Sequence, residues 1–283
     1  MRPYDEVCDT TGALLTLAVR GGQNGAALER LSELYGALPD DAVFEAARKN
    51  KVVHAVADAL ERALGEELPL SWSEALGENE ARVEALLDMT ERLTEGLTTL
   101  GIPSAAVGSA GVLLGSDLST RALGSGDLDL LVPESAWERS LELAADLGLT
   151  RGDRAGQVTT RRAKLSGLGP HGEPLWIEAC AHPFERTWVP LRVQDRSEVW
   201  LERAVESRKR PKISVLDPHD ALAFVALHTS LHSFVRSPGL RLHMDVDRLA
   251  RDNELDWSRV VEEIEALGAR TRAFVSLMMA RGI

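Results

Sequence analysis

The stretch Val107–Val132, VGSAGVLLGSDLSTRALGSGDLDLLV, decides the fold of this chain. Asp127 and Asp129 alternate with leucines near its end, and alternate residues of an extended strand point to the same face. The two carboxylates would repel each other unless a cation lies between them, and a divalent cation with oxygen ligands is the usual solution. The small residues Gly108 and Ser109 would let a phosphate approach the backbone. These features are typical of a metal-dependent phosphoryl or nucleotidyl transfer site.

The same residues resemble a family signature. Gly108-Ser109 followed by Asp127-Leu128-Asp129 resembles the Gly-Ser turn and Asp-x-Asp strand of the DNA polymerase β-type nucleotidyltransferase superfamily. More closely, Arg121 followed by GDLDLLV is similar to the core R-x-x-x-D-I-D-L-L-V of a family of bacterial nucleotidyltransferases. These relatives usually carry Lys-Gly where this chain has Gly-Ser, so no lysine role is transferred. The resemblance implies an α+β fold, with a nucleotidyltransferase-type mixed β-sheet core between N-terminal and C-terminal helical lobes.

A third acid stands in the apolar segment Leu175–Ala181, LWIEACA. Glu178 interrupts this segment, and a charge in a buried strand is costly unless it is paired or bound to a metal. The resemblance implies that this strand lies beside the Asp-x-Asp strand and that Glu178 completes the metal site. Many relatives have His two positions after the acid, where this chain has Cys180 and then His182, so no role is carried over there.

The hypothesis assigns a role to each candidate residue. The catalytic residues and metal ligands are Asp127, Asp129 and Glu178. They would hold two Mg²⁺ ions, with Mn²⁺ as an alternative, and Glu178 would take the acceptor proton. Gly108 and Ser109 would bind the β- and γ-phosphates, and Arg121 would neutralise phosphate charge. The nucleotide-binding candidates are Gly108, Ser109, Arg121, Ser125, Lys164, His228 and Arg241.

Plainer interpretations stay open. Glu178 could form a buried ion pair with Arg161 or Lys164. The two aspartates could lie on an exposed strand edge or turn, and Arg121 could be an ordinary surface arginine. His228 and His232 lie four residues apart on one helix face; a transition metal there would need a third ligand, which the sequence does not supply.

The expected reaction is transfer of an NMP from an NTP, with ATP as the expected donor, to a hydroxyl of a small-molecule or peptide/protein acceptor. Pyrophosphate would be released. Two alternatives stay open: a catalytically degenerate nucleotide-binding regulatory or toxin–antitoxin module, and a metal-dependent phosphohydrolase. The second would normally show His-Asp metal pairs, which the sequence lacks.

Composition limits the partners and the compartment. The formal net charge is −12 and the pI is near 5.1, so the overall field repels polyanions and makes a nucleic-acid partner unlikely. The two cysteines, Cys8 and Cys180, suggest no disulfide framework. The acidic start of the chain does not look like a signal peptide and no apolar run suits a membrane span, so a cytoplasmic protein is expected.

Periodicity predicts three regions: a helical N-terminal lobe over 1–100, a catalytic core over 101–195 and a helical C-terminal lobe over 196–283. His54, in the first lobe, is assigned no chemistry. The basic run 208–212 is interpreted as a solvated loop, with phosphate contact as the minor alternative. The predicted helices are Glu78–Leu100, Ala110–Leu114 with Ser109 as N-cap, Glu134–Leu147 and Ala221–Val235. The predicted strands are Ile102–Val107, Leu128–Val132, Val158–Leu165 and Leu175–Ala181, the last two forming a hairpin.

Overall fold

A mixed β-sheet lies between helical regions in the computed structural model, which describes residues 3–20, 24–124, 126–152, 161–169, 171–184, 193–233, 240–252 and 254–281. Its strands are β1 (Ala105–Val107), β2 (Asp127–Leu131), β3 (Thr150–Arg151), β4 (Arg162–Leu168), β5 (Pro174–Cys180), β6 (Val205–Glu206) and β7 (Ser214–Val215). In the described part of the chain they form one seven-stranded sheet in the order β3-β4-β5-β2-β1-β7-β6. β2 is parallel to β5 and antiparallel to β1, and β5 is antiparallel to β4. The predicted α+β class is confirmed.

Helices precede and follow the sheet in the chain. The N-terminal ones are α1 (Pro3–Val19), α2 (Gly25–Gly36), α3 (Asp40–Lys49), α4 (Val53–Leu64) and α5 (Leu70–Thr99). Those between or after the strands are α6 (Gly108–Gly115), α7 (Trp137–Asp146), α8 (Ser197–Arg203), α9 (Pro218–Ser233), α10 (Arg241–Asp252), α11 (Trp257–Ala266) and α12 (Arg270–Arg281). Short 3₁₀ segments span Gly65–Glu67, Thr120–Ala122 and Glu134–Ala136. None of the helices described is both long enough and apolar enough to cross a bilayer.

The two faces of the sheet have different neighbours. Leu128, Leu130 and Ile177 point to one face and join a buried cluster with Leu86 and Leu93 of α5. The opposite face carries the residues that alternate with them, and its apolar members pack against the C-terminal helices. Because side chains alternate along a strand, the apolar residues of β2 and β5 fix the direction in which their acidic residues point.

Helix α5 is longer than the sequence pattern predicts. It begins at Leu70, eight residues before the predicted start, and ends at Thr99, close to the predicted end. The early start is explained by Trp72 and Leu76, which are fully buried in the core of the N-terminal helices. Gly101, with φ +71°, follows the helix end in a conformation that favours glycine. A single helix therefore spans the N-terminal core and the apolar face of the sheet; the predicted domain boundaries stay predictions.

Ser109 was expected as the N-cap of a short helix, and this was wrong. α6 begins at Gly108, so Ser109 lies inside the first turn and Val107 is the N-cap, without a side-chain hydrogen bond. The predicted β4–β5 hairpin is present. β4 runs over Arg162–Leu168, whereas positions 158–160 of the predicted strand lie outside the described residues. α9 begins at Pro218, and positions 234–235 of the predicted helix also lie outside the description.

The basic run 208–212 is a loop in which Arg208, Pro211 and Lys212 are exposed, as predicted, whereas Arg210 is bound to α5; the alternative of phosphate contact stays a prediction. Arg210 donates to the carboxylates of Asp88 at 2.9 Å and Glu91 at 3.0 Å, and also contacts Glu84. These acids form a stripe along α5, and Lys212 extends the pattern with a contact to Glu95. The run therefore fixes the segment before β7 to the long helix.

We predict that Arg210→Ala destabilises the protein by about 1 to 2 kcal/mol, because it removes several charge-assisted hydrogen bonds from a half-buried network. Arg208→Ala is the matched control, since Arg208 pairs at 3.4 Å only with the exposed Asp117. We expect a loss below about 0.5 kcal/mol for the control. Urea denaturation measures both, and equal losses would contradict the structural role given to Arg210.

Candidate active site

Three carboxylates lie together on one face of the sheet. Asp129 of β2 is directly opposite Glu178 of β5 in the parallel pairing, and Asp127 lies one pleat earlier on β2. Residues directly opposite each other share a face, so the strand register brings all three acids to the side away from α5. The convergence expected from the sequence is therefore present, while the catalytic and metal-binding roles stay predictions.

Two cations from β4 accompany the acids. Lys164 is opposite Glu178 in the register, and its Nζ lies 3.0 Å from Asp127 Oδ2 and 3.5 Å from Glu178 Oε2. Arg162 contacts the other oxygen of Glu178. Glu178 thus forms ion pairs, as one of the open interpretations predicted. Lys164 is one of the expected partners, but the arginine is Arg162 and not Arg161. Arg161 instead contacts Glu134 and Glu138.

Asp129 is the least neutralised of the three acids. Its pKa is raised to about 7 by burial first, and then by the charges of Glu178 and Asp127, while Arg162 and Lys164 oppose the shift. Among the described residues no cation lies within ion-pair distance of it. Burial also lowers the pKa of Lys164, but the hydrogen bond to Asp127 and the nearby acids outweigh it and raise that pKa. Asp127, Asp129 and Glu178, which we call the carboxylate row, therefore keep an excess of negative charge at Asp129.

Gly108 connects β1 to α6 beside Asp129. Its φ is +63°, and a Cβ added to it would lie 3.0 Å from Oδ2 of Asp129. Both facts favour glycine, because other residues rarely adopt this conformation and their side chain would press on the carboxylate. No side chain caps the first backbone amides of α6. Because Gly108 has no side chain, these N–H donors remain accessible next to the acids.

Ser109 does not point its hydroxyl at the carboxylate row. Its Oγ donates to Oδ2 of Asp245 on α10 at 2.5 Å. Burial raises the pKa of Asp245, and the Ser109 hydrogen bond and nearby arginines oppose the rise. A small cavity here is lined in part by Ser109, Gly124, Arg241, Asp245 and Arg248. The Ser109 hydroxyl is thus bound to Asp245, and phosphate binding by its backbone stays a prediction.

Arg121 does not join the acids. Its guanidinium binds both oxygens of Glu61 on α4, at 2.6 and 3.1 Å, and contacts Glu80 on α5 at 3.1 Å. The hydrogen bond and charge of Glu61 raise its pKa. The expectation that Arg121 neutralises a phosphate is therefore not supported by its position, because two carboxylates already occupy it.

The remaining candidates are Arg241, His228 and Ser125. Arg241 donates to the carbonyl of Gly124 at 3.3 Å. His228 stacks on Phe224, and its ring centroid lies 4.5 Å from that of His232. Burial, and then the charges of His232, Arg162 and Arg241, hold the pKa of His228 well below its ordinary value, so its ring is neutral. Ser125 lies outside the described residues.

Two neighbours of the site were missed in the sequence. Arg162 precedes Lys164 by two residues, so strand alternation places both on the acid face; this signal was available. Arg82 on α5 is affected by the charges of Glu173 and Asp127. No local pattern signals it, because α5 is separated from β2 by more than a complete strand and helix.

The donor set fits a hard divalent cation by chemistry. Three carboxylates supply the oxygen ligands that Mg²⁺ prefers, and Asp129 forms no ion pair among the described residues while burial and the neighbouring acids raise its pKa. Within the described ranges, however, no group of three or more His, Cys, Asp or Glu side chains is arranged to hold a metal ion. Lys164 contacts Asp127 and Arg162 contacts Glu178. Binding of a metal ion to the three acids therefore requires these two side chains to rotate away.

A family model described as "Uncharacterised nucleotidyltransferase" matches residues 37–283. The chain belongs to this family. It is therefore a nucleotidyltransferase, as the sequence predicted, whereas its placement in the DNA polymerase β-type superfamily stays a prediction. The family match includes α3, α4 and α5 of the N-terminal helices as well as the sheet.

Comparisons with known proteins add two solved structures, and no curated protein matches. An antigenic nucleotidyltransferase-like protein from Paracoccidioides brasiliensis is 16% identical, with 69% of this chain and 93% of that chain covered and a TM-score of 0.43. The antibiotic-resistance factor ANT(2'')-Ia is 10% identical, with 69% and 96% covered and the same TM-score of 0.43.

We predict that Gly108→Ala destabilises this nucleotidyltransferase by about 1 to 2 kcal/mol, because the left-handed conformation is costly for alanine. It should also lower transfer activity, since the new methyl group presses on Asp129. Gly126→Ala is the control, because a Cβ there meets nothing within 4 Å. Urea denaturation and a transfer assay measure both variants; a Gly108→Ala enzyme indistinguishable from the control would contradict the close approach.

The raised pKa of Asp129 predicts a pH-dependent stability. Asp129 titrates at about 7 in the folded protein and at about 4 when unfolded. The folded state thus holds the proton more tightly between these values, and stability falls as pH rises from about 4 to about 7.

Asp129→Asn should therefore stabilise the metal-free protein at pH 8, by on the order of a few kcal/mol, and change it little at pH 4. Thermal unfolding in the presence of EDTA measures this. Asp117→Asn, at an exposed position, should show no such difference between the two pH values. An Asp129→Asn effect independent of pH would mean that folding does not shift the pKa of Asp129.

Proposed function

We propose that this nucleotidyltransferase moves an NMP from an NTP, with ATP as the expected donor, to a hydroxyl of a small-molecule or peptide/protein acceptor. The observation that carries the proposal is the row of Asp127, Asp129 and Glu178 on adjacent strands beside Gly108. Family membership supports nucleotidyl transfer in general, and the row supplies the position at which it would occur.

The proposed chemistry is a displacement at phosphorus. The acceptor oxygen forms a bond to the α-phosphorus, the bond from that phosphorus to the bridging oxygen breaks, and pyrophosphate leaves. Glu178 takes the proton of the acceptor hydroxyl on one of its carboxylate oxygens. For this, Glu178 must exchange its contacts with Arg162 and Lys164 for the acceptor.

The acids would hold the metal and the glycine would hold the phosphates. Asp127, Asp129 and Glu178 are the proposed ligands of Mg²⁺, or Mn²⁺, which when bound would supply charge neutralisation and activation of the acceptor oxygen. The amides of the first turn of α6, beginning at Gly108, would donate to phosphate oxygens. Lys164, released from Asp127, would add a positive charge on the same face.

The acceptor class follows from charge. The formal net charge of −12 weakens association with a polyanion, because nucleic-acid binding depends on neutralising many phosphates. A small molecule or a peptide does not require a broad basic surface. We therefore place nucleic acid last among the acceptors.

A regulatory nucleotide-binding module is the second candidate. The observation that favours it is the pairing of Lys164 and Arg162 with the acids, which is a closed arrangement that can exist without a metal. Such a module would bind NTP and show stabilisation by it, without releasing pyrophosphate. The same assay separates the two candidates.

We predict that Asp129→Asn and Glu178→Gln each lower pyrophosphate release by on the order of 10²-fold or more, because each removes a charge from the transition-state environment. The assay combines labelled NTPs, Mg²⁺ and a panel of hydroxyl-bearing acceptors. EDTA should abolish turnover in the wild type. Glu138→Gln is the matched control, since Glu138 is exposed and pairs with Arg161 away from the row. Full turnover by Asp129→Asn would remove the proposed site.

A further inference from the structure

We infer that Arg82, on α5, is an anion-binding residue of this site and that it takes the terminal phosphates of the nucleotide together with Arg241. The inference rests on the proposed function for the identity of the ligand. It gives the N-terminal helices a phosphate-binding role of the kind predicted for Arg121, whose guanidinium is bound by Glu61 and Glu80.

Arg82 is held in place by an amide and not by an acid. Its Nη2 donates to Oδ1 of Asn79 at 2.6 Å. Asn79 is buried, and its Nδ2 donates to the carbonyls of Arg121 at 2.7 Å and Leu123 at 2.9 Å. Arg82 is therefore oriented by the backbone that leads into β2, while among the described residues no carboxylate lies within ion-pair distance of it.

Arg82 lies near the segment that precedes the first of the three acids, since Asn79 links it to the carbonyls of Arg121 and Leu123. The charges of Glu173 and Asp127 act on it, and its own charge acts on His54 of α4. His54 lies close to Gly124, where an added Cβ would be 3.7 Å from its Nδ1. Arg82 thus lies near the segment that immediately precedes Asp127.

Arg241 lies beside the same segment, because an added Cβ at Gly124 would be 3.8 Å from its Cδ as well as close to His54. Its Nη1 donates to the carbonyl of Gly124, and its Nε is buried without a hydrogen-bond partner among the described residues. Like Arg82, it forms no ion pair with a carboxylate in the described part of the chain. Arg241 therefore contacts this segment directly and Arg82 contacts it through Asn79, and both keep guanidinium donors for another group.

A polyphosphate fits these donors better than a singly charged group. Burial lowers the pKa of Arg82, which the acids only partly oppose, so its charge is desolvated without a close counter-ion, an unfavourable state that an anion relieves. Guanidinium groups bind phosphate oxygens in a bidentate manner. Two such groups beside the segment that precedes Asp127 match several phosphate charges.

The test is binding of inorganic tripolyphosphate to the full chain by calorimetry, in EDTA. Arg82→Gln should weaken binding at least tenfold. Arg92→Gln is the matched control, because Arg92 is an exposed residue of the same helix, and it should bind as the wild type does. In the transfer assay Arg82→Gln should raise the KM for NTP and leave the KM for the acceptor unchanged.

Several results would overturn the inference. These are a wild type that does not bind tripolyphosphate, an Arg82→Gln protein that binds it normally, or a change confined to the KM of the acceptor. Should Arg82→Gln fail to fold, Arg82→Lys carries the test, and unchanged binding by it would count against a bidentate contact. Because calorimetry needs no turnover, Arg82-dependent binding without any transfer would sink the proposed function and leave this inference standing.

Discussion

The structure depends on one electrostatic constraint, which is the parallel register that sets Asp129 beside Glu178. Two acids at this separation, with a third one pleat away, destabilise the folded chain unless something positive offsets them. The apolar residues that alternate with them are fully buried against α5, so a one-residue shift would bury the acids in that core. The hydrophobic face thus holds the acids in an arrangement that they would not adopt alone.

The cations of β4 explain how the chain tolerates this arrangement. Lys164 and Arg162 alternate on the strand next to β5 and contact Asp127 and Glu178. They leave Asp129 without an ion pair among the described residues, and burial together with the charges of Glu178 and Asp127 raises its pKa to about 7. Perturbed acids of this kind concentrate at functional sites. The incomplete compensation is what distinguishes the row from an ordinary structural ion-pair network, in which each charge has a close partner.

The sequence predicted the features that depend on local pattern. Strand alternation was sufficient to put Asp127 and Asp129 on one face, and the interrupted apolar run was sufficient to identify Glu178. The failures concern long-range pairing. Arg121 was expected at a phosphate and is bound by Glu61 and Glu80, Ser109 was expected as an N-cap and donates to Asp245, and Arg210 of the basic run is bound to α5. Ion pairs between distant segments leave no periodic signal, so neither composition nor spacing could have shown them.

The N-terminal helices also help to position the site, through contacts between residues that are distant in sequence. The segment Thr120–Leu123 precedes Asp127, and its position is set from α4 and α5. Glu61 and Glu80 bind the side chain of Arg121, and Asn79 donates to the carbonyls of Arg121 and Leu123. Buried amide-to-carbonyl contacts of this kind are costly to break because the carbonyls would be left unsatisfied. A displacement of α5 would therefore move the start of β2 and its first aspartate. Since α5 also carries the leucines that pack against the apolar face of the sheet, this one helix supports both β2 and the segment that precedes its first aspartate.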